Sequence, residues 1–105
     1  MRKKIILVID DDEMNLQIAK MVLEKKLLCK VIGVDNGVEG IAILKSQRVN
    51  LVLLDVMMPD FDGIETLQEI RGDVQIKDVP VMMLTALKFW RSSRVIKSLT
   101  RCLLR

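Results

Sequence analysis

Apolar residues along this chain are grouped in short, nearly unbroken runs that alternate with amphipathic stretches. The runs lie at positions 5–9, 31–34, 51–54 and 80–84. A run of this length is typical of a strand buried on both faces, as in a parallel sheet. The stretches between the runs carry apolar residues at helical spacing, and together the pattern predicts four strands that alternate with helices.

Three helices are predicted between the strands, and a fourth after the last one. Asp12 is a candidate cap for the first helix, whose apolar face is formed by Leu16, Ala19, Val22, Leu23 and Leu27. Asn36 and Gly37 predict a turn before a short second helix with the apolar residues Val38, Ile41, Ala42 and Leu44. Pro59 and Gly63 mark a loop before a third helical face, made by Ile64, Leu67 and Ile70. A roughly helical spacing then relates Trp90, Ile96, Leu99 and Leu103.

This strand–helix alternation predicts an α/β fold with three layers. Right-handed crossovers place helices on both faces of a parallel sheet, which is the doubly wound arrangement. Binding sites in such folds lie at the carboxyl ends of the strands, near the point where the strand order reverses. The length of 105 residues suits one domain covering residues 1–105.

The charge of the chain is unevenly distributed. Residues 1–87 carry a balance of −3, whereas residues 88–105 hold six basic side chains and no acid. Because the basic excess is confined to the C-terminal stretch, nucleic-acid binding is not expected. No apolar stretch is long enough for a membrane span or a signal peptide, which favours a cytoplasmic protein without membrane attachment. The chain has no His, and this excludes His-based catalysis and most zinc sites.

Polar residues follow three of the predicted strands. The first strand ends in Asp10, Asp11 and Asp12, the third in Asp55 and the fourth in Thr85. Parallel strands end at the same edge of a sheet, so the carboxylates are expected to cluster with a hydroxyl beside them. Clustered carboxylates repel one another, and a hard cation such as Mg²⁺ relieves that repulsion. A carboxylate in such a site can attack phosphorus and form an acyl phosphate, with Thr85 donating to a phosphoryl oxygen.

Simpler explanations exist for the same residues. The acids at 10–12 could form a solvated turn that caps the first helix, and capping is the favoured role of Asp12. Thr85 could be an ordinary residue at a strand end, although the small Ala86 after it leaves room for a phosphoryl group. A phosphohydrolase with an aspartate nucleophile is a remote alternative, because Met14 interrupts the aspartate pattern of those enzymes.

Three sequence blocks resemble the receiver family of bacterial two-component response regulators. They occur in order at family-like separations across residues 3–87, and they are Ile6–Asp12, Asp55–Gly63 and Met83–Ala86. The aspartate-x-x-Met-Pro-x-x-Asp-Gly loop in the second block is the most specific of the three. The resemblance implies a CheY-like, flavodoxin-like sheet with strand order 2-1-3-4, in which the family's fifth strand and fifth helix are missing.

The resemblance also implies a role for each site residue. Asp55 would be the phosphoacceptor, and its phosphoryl group would come from a phosphohistidine on a sensor histidine kinase or phosphotransfer protein. Asp11 would bind Mg²⁺ directly, Asp10 would act mainly through water, and the backbone carbonyl of Met57 would be a further ligand. Thr85 would be the switch hydroxyl. The domain would be a phosphoacceptor in signalling and not an enzyme.

After Leu87 the sequence departs from the family pattern. The family's switch aromatic and Lys–Pro pair have no counterpart, and the all-basic composition of residues 88–105 suggests a truncated or frame-altered end. These residues are predicted to form an atypical helix with Trp90 and Leu99 buried. The fourth strand would be an exposed sheet edge, which favours a homodimer or higher oligomer through that strand and the C-terminal helix. A degenerate receiver that only mediates protein contacts is the alternative function.

Overall fold

A computed structural model describes residues 3–55, 63–84, 97 and 99–101 of the chain. Within residues 3–55 and 63–84, seven helices and strands alternate, namely β1 (Lys4–Ile9), α1 (Glu13–Lys26), β2 (Cys29–Val34), α2 (Gly37–Ser46), β3 (Leu51–Asp55), α3 (Gly63–Gly72) and β4 (Val81–Leu84). Residues 97 and 99–101 are also helical. No helix within the described ranges is long and apolar enough to cross a membrane.

The strands form one parallel sheet in the order β2-β1-β3-β4. Both the parallel pairing and the predicted order are confirmed. From β1 the chain first moves outward to β2 and then crosses back to β3 on the other side. The order therefore reverses between β1 and β3, and this is where the doubly wound topology opens a crevice at the carboxyl ends of the strands.

Side-chain caps at the N-termini of α1 and α2 explain where these two helices begin. The Asp12 side chain accepts hydrogen bonds from the backbone N–H groups of Met14 and Asn15, so its predicted capping role is confirmed. Asn36 caps α2 in the same way, by accepting the N–H of Glu39 at 2.7 Å. The predicted turn at Asn36 is thus a helix cap. The strand starts differ by one residue at β1 and β4, and by two at β2, which begins at Cys29 and not at the predicted residue 31.

Two apolar layers cover the two faces of the sheet. On one face α1 packs over a buried cluster that contains Ile6 and Val8 of β1 together with Leu51 and Leu53 of β3. The alternate residues of the same strands point to the other face, where α2 and α3 cover Leu7, Ile9, Val52 and Leu54. Burial on both faces explains why the strands are unbroken apolar runs. Each fully buried residue of this size contributes about 1.5–3 kcal/mol.

Leu99, in the C-terminal helical segment, is fully buried and belongs to the cluster on the α1 face. Its predicted burial is confirmed, and the layer it joins is formed by the chain's own strands β1 and β3. Trp90, the other residue predicted to be buried there, lies outside the described residues. So do most of residues 88–105, including the predicted Ile96 and Leu103.

Close packing between α2 and β1 requires a glycine. A Cβ atom at Gly40 would lie 2.5 Å from Cδ1 of Ile9 and 3.0 Å from its Cγ1. Ile9 is fully buried, so it has little room to move away. Gly40 therefore lets α2 approach the sheet closely.

At the amino edge of the sheet, polar side chains tie loops to strands. Asn50 and Ile5 form a reciprocal pair, in which the Ile5 N–H donates to Oδ1 of Asn50 at 2.8 Å and the Asn50 N–H donates to the Ile5 carbonyl at 2.9 Å. One guanidinium nitrogen of Arg71 donates to the carbonyls of Lys77 and Val79 at 2.6 and 2.7 Å. The Arg71 contacts fix the loop that leads from α3 into β4, whereas the Asn50–Ile5 pair fixes the loop before β3.

An ion pair joins the two helices on the same face near this edge. Lys45 of α2 lies 2.8 Å from a carboxylate oxygen of Asp73, just after α3. The hydrogen bond from Lys45 holds the pKa of Asp73 below its usual value, and the backbone N–H of Gln75 acts in the same direction. The charge of Asp73 is thus used to hold α2 and α3 together.

Candidate functional site

Strand register brings two aspartates side by side at the carboxyl edge of the sheet. Ile9 of β1 is paired with Leu54 of β3, so the next residues, Asp10 and Asp55, lie next to each other where the strand order reverses. The N–H of Asp10 donates to the Val34 carbonyl of β2 at 3.0 Å, which extends the β1–β2 ladder by one residue. The backbone that carries Asp10 is therefore fixed on the β2 side.

Three carboxylates meet at this position. Asp10, Asp11 and Asp55 each place one oxygen within 4.8 Å of the other two. Asp10 is fully buried, Asp55 is half-buried and Asp11 is exposed, so the cluster extends from the protein interior to solvent. The convergence expected from the sequence is present in the structure.

The electrostatics of the cluster centre on Asp10. Its Oδ1 accepts the N–H of Asp12 at 2.9 Å, whereas its Oδ2 is buried and has no hydrogen-bond partner among the described residues. Burial, followed by the nearby carboxylate of Asp55, raises the pKa of Asp10 to about 6, although the Asp12 N–H partly opposes this. A buried carboxylate that lacks a partner is costly, and it needs a proton or a cation.

One residue near the cluster was not predicted from the sequence. The side chain of Asn15, in the first turn of α1, acts to lower the pKa of Asp10, more weakly than the Asp12 N–H does, and so favours the ionised form of Asp10. Its position three residues after the cap Asp12 places it in the first helical turn, which starts at the same sheet edge. A polar residue at this position is the signal that could have pointed to it.

The donor set fits a hard divalent cation. All three groups are carboxylates, and oxygen ligands of this kind suit Mg²⁺ or Ca²⁺ better than softer metals. The orphaned Oδ2 of Asp10 would gain a partner, and the repulsion between Asp10 and Asp55 would be offset. The cluster Asp10, Asp11 and Asp55 can therefore hold a metal ion.

Two further residues predicted for the site lie outside the described residues. Thr85 directly follows β4, and Met57 follows β3 by two positions. Their roles as switch hydroxyl and carbonyl ligand stay predictions. The described part of β4 ends at Leu84, which is paired with Asp55 of β3.

The family comparison agrees with this site and fold. The model of the response regulator receiver domain matches residues 6–97, and the chain belongs to that family. It is therefore a receiver domain of two-component signal transduction, as the sequence blocks indicated. The match continues beyond Leu87, where the resemblance in the three blocks ends.

Individual relatives support the same conclusion. A probable transcriptional regulator of Porphyridium aerugineum, ycf27, is 42% identical over 92 residues, which cover 83% of this chain and 35% of the relative. The N-terminal domain of a response regulator receiver protein from Methanoculleus marisnigri is 28% identical with a TM-score of 0.72, covering 96% of this chain and 97% of that one. The chemotaxis response regulator CheY4 of Vibrio cholerae has a TM-score of 0.77 at 21% identity, covers 97% of this chain and 100% of that one, and shares the fold.

The chain spans about a third of the length of the ycf27 relatives and of several other curated relatives, and about two thirds of the length of the response regulator DivK of Brucella anthropi. Those longer relatives contain further sequence outside the matched portion. The functions of that further sequence are not attributed to this chain.

Proposed function

We propose that this receiver domain accepts a phosphoryl group on Asp55, with Mg²⁺ held by Asp10, Asp11 and Asp55. The donor is a phosphohistidine on a sensor histidine kinase or a phosphotransfer protein, in the cytoplasm. The domain is a signalling acceptor and not an enzyme acting on other molecules. The observation that carries the proposal is the convergence of three carboxylates where the strand order reverses, one of them with an orphaned buried oxygen.

The transfer is a displacement at phosphorus. A carboxylate oxygen of Asp55 attacks the phosphorus atom while the bond between phosphorus and the imidazole nitrogen of the donor breaks. The released imidazole then takes a proton from solvent. Asp55 is half-buried, so it is open to the donor while its neighbour Asp10 stays shielded. Bound Mg²⁺ would offset the negative charge that gathers on the transferred group.

The two other aspartates have different tasks in this proposal. Asp11 is exposed and can bind the ion directly, whereas the buried Asp10 supplies negative charge on the interior side of the ion. The carbonyl of Met57 is proposed as a further ligand and Thr85 as the hydroxyl that contacts the phosphoryl group. The side chain of Asn15 helps to keep Asp10 ionised, as the metal requires.

Exposed apolar residues around the cluster offer a surface for the donor protein. Met14, Val38 and Ile64 are each the second residue of a helix, and they are 69%, 68% and 51% exposed. Because α1, α2 and α3 all begin at the carboxyl edge of the sheet, these side chains lie around the aspartates. A helical donor with an apolar patch beside its phosphohistidine would fit this edge.

Intact-mass measurement tests the proposal directly. The full chain is incubated with Mg²⁺ and acetyl phosphate, and a gain of one phosphoryl group is expected. Asp55→Asn should abolish that gain, and chelation of the metal should reduce it at least about tenfold. Asp78→Asn, which removes the same charge at the amino edge of the sheet, is the matched control and should label normally.

The alternative is a degenerate receiver that mediates protein contacts without a phosphorylation switch. The observation that motivates it is that the last family-like block ends at Ala86, after which residues 88–105 hold six basic side chains and no acid. No gain in mass under any donor or metal condition, with the chain folded, would support this alternative and exclude the first proposal.

We further propose self-association through β4. Among the described strands β4 is paired only with β3, and no described strand lies at its other edge, where a strand of a second chain could pair. Leu99 is buried within the chain's own core, so the contact would rest on the strand and not on that side chain. Light scattering over a concentration series should show a dimer or larger species, and a monomer at high concentration would exclude it.

A further inference from the structure

β2 lies at the other edge of the sheet, and some of the backbone groups on its outer side already form hydrogen bonds within the chain. Along a strand, alternate residues direct their N–H and C=O groups to opposite sides. The Val34 carbonyl accepts from Asp10 of β1, so the groups of Val34, Ile32 and Lys30 point inward. The groups of Cys29, Val31 and Gly33 therefore point away from the sheet, where the described residues provide no further strand.

Two of these outward N–H groups have acceptors supplied by the same chain. The N–H of Cys29 donates to the Leu27 carbonyl at 2.9 Å, within the tight connection that follows α1. The N–H of Val31 donates at 2.8 Å to Oε2 of Glu24, whose side chain reaches from the last turns of α1 to the strand edge. The second contact is unusual because an exposed carboxylate takes the place that a neighbouring strand's carbonyl would occupy.

The position of Val31 decides which association is blocked. It is the middle one of the three outward residues, so an antiparallel pairing of two copies of β2 that uses all three outward residues has its two-fold axis at Val31. In such a pair Val31 exchanges both hydrogen bonds with Val31 of the second copy, and Cys29 faces Gly33. The N–H that Glu24 occupies is the donor at the centre of this pairing.

There is room for a second strand beside this edge. A groove lined by Leu16, Lys20, Val31, Ile32 and Gly33 runs along β2 next to α1. We propose that Glu24 is an intramolecular blocker of strand addition at β2, and that the partner it excludes is a second copy of this chain. The contact works as an autoinhibitory one, since any change that withdraws the Glu24 side chain opens the edge.

Three variants separate the hydrogen bond from other effects. Glu24→Ala removes the acceptor and keeps a good helix former in α1, whereas Glu24→Gln keeps an acceptor oxygen without the charge. Lys25→Ala, at the adjacent exposed helix position, is the control for a general change in α1. Circular dichroism confirms that each variant is folded before association is measured.

Sedimentation velocity over a concentration series measures self-association, and amide hydrogen exchange by NMR locates it. Glu24→Ala should associate about tenfold or more tightly than the other chains. The Val31 and Gly33 amides should then become protected as its concentration rises. Equal association of Glu24→Ala and Glu24→Gln would overturn the proposal. So would tighter association that protects only the amides of β4, which instead reports the β4 contact proposed above.

Discussion

The two ends of the sheet use their polar side chains for different purposes. At the amino edge, Asn50 and Arg71 donate to or accept from specific backbone groups, and each contact ties a loop in place. At the carboxyl edge, Asp10 is more deeply buried than either, yet its Oδ2 has no partner among the described residues. The polar groups of Asn50 and Arg71 form hydrogen bonds within the chain and so stabilise the fold. The buried oxygen of Asp10 has no such partner among the described residues, so it is available to bind a proton or a cation.

The comparison extends to two aspartates with opposite pKa shifts. Asp73, near the amino edge, has a lowered pKa because Lys45 and a backbone N–H stabilise its charge. Asp10 has a raised pKa of about 6 because burial and Asp55 destabilise its charge. Ionisation of Asp73 thus favours the fold, whereas ionisation of Asp10 opposes it.

The largest expected effect is a gain of stability from removing the charge of Asp10. In metal-free buffer at pH 7, Asp10→Asn should raise the free energy of unfolding by up to about 3 kcal/mol, which corresponds to the shift from 3.8 to about 6. Because the folded-state pKa is raised, this penalty is absent below pH 4 and grows until the pH passes about 6. Urea unfolding of both proteins at pH 4 and pH 7 measures it. An equal difference at the two pH values would contradict the assignment of the cost to the charge.

Addition of Mg²⁺ should produce the next largest effect. An ion at one hundred times its dissociation constant stabilises the folded state by about 2.7 kcal/mol. The gain should shrink as the pH falls through about 6, because binding requires ionised Asp10. Thermal unfolding with and without Mg²⁺ at matched ionic strength tests this. The gain should be largely lost in Asp10→Asn and kept in Asp78→Asn, and equal gains in both variants would place the ion elsewhere.

Arg71→Ala should have a smaller effect, of a purely structural kind. The variant loses two hydrogen bonds, to the carbonyls of Lys77 and Val79, from a side chain that is itself exposed. We expect a loss of about 1–2 kcal/mol that is independent of Mg²⁺. Arg71→Lys, which keeps the charge, is the control and should retain part of the stability. Denaturant unfolding measures both, and a Mg²⁺-dependent loss would mean that the two ends of the sheet are coupled.

Lys45→Ala should give the smallest effect, seen mainly in one titration. Without its ion pair, Asp73 should have a pKa closer to the usual value, while the Gln75 N–H still keeps it slightly lowered. The stability that this pair adds is present at neutral pH and is lost as the pH falls through the lowered pKa. NMR titration of the Asp73 carboxyl group checks the shift. An unchanged pKa would show that the backbone N–H alone is responsible.

Sequence pattern was enough to predict the features that depend on one strand or one helix at a time. The unbroken apolar runs indicated strands covered on both faces, and the position of Asp12 before an amphipathic stretch indicated a cap. The meeting of Asp10 with Asp55 was also predictable, because parallel strands bring their carboxyl ends to one edge. These inferences need only the period of the pattern and the direction of the strands.

Features that depend on how far a side chain reaches were not predictable in this way. Nothing in the sequence relates Glu24 to the N–H of Val31, because that contact depends on where α1 ends relative to the edge of β2. The start of β2 was likewise missed, since Leu27, Leu28 and Cys29 are apolar and could end a helix or begin a strand. Periodicity alone does not decide between the two, and the N–H of Leu27 bonding back to α1 does.

The burial of Leu99 has a consequence for how the chain folds during its synthesis. The described residues of the layer under α2 and α3 all lie between Leu7 and Met83, so their contacts can form before residue 99 leaves the ribosome. The layer under α1 joins Leu99 to Ile6 and Val8, at the other end of the chain, and it must wait for that residue. The face of the sheet under α1 therefore stays exposed to solvent longer than the face under α2 and α3. Until residue 99 has left the ribosome, a nascent chain exposes more apolar surface on the α1 face, where chaperones can bind and neighbouring nascent chains can misassemble.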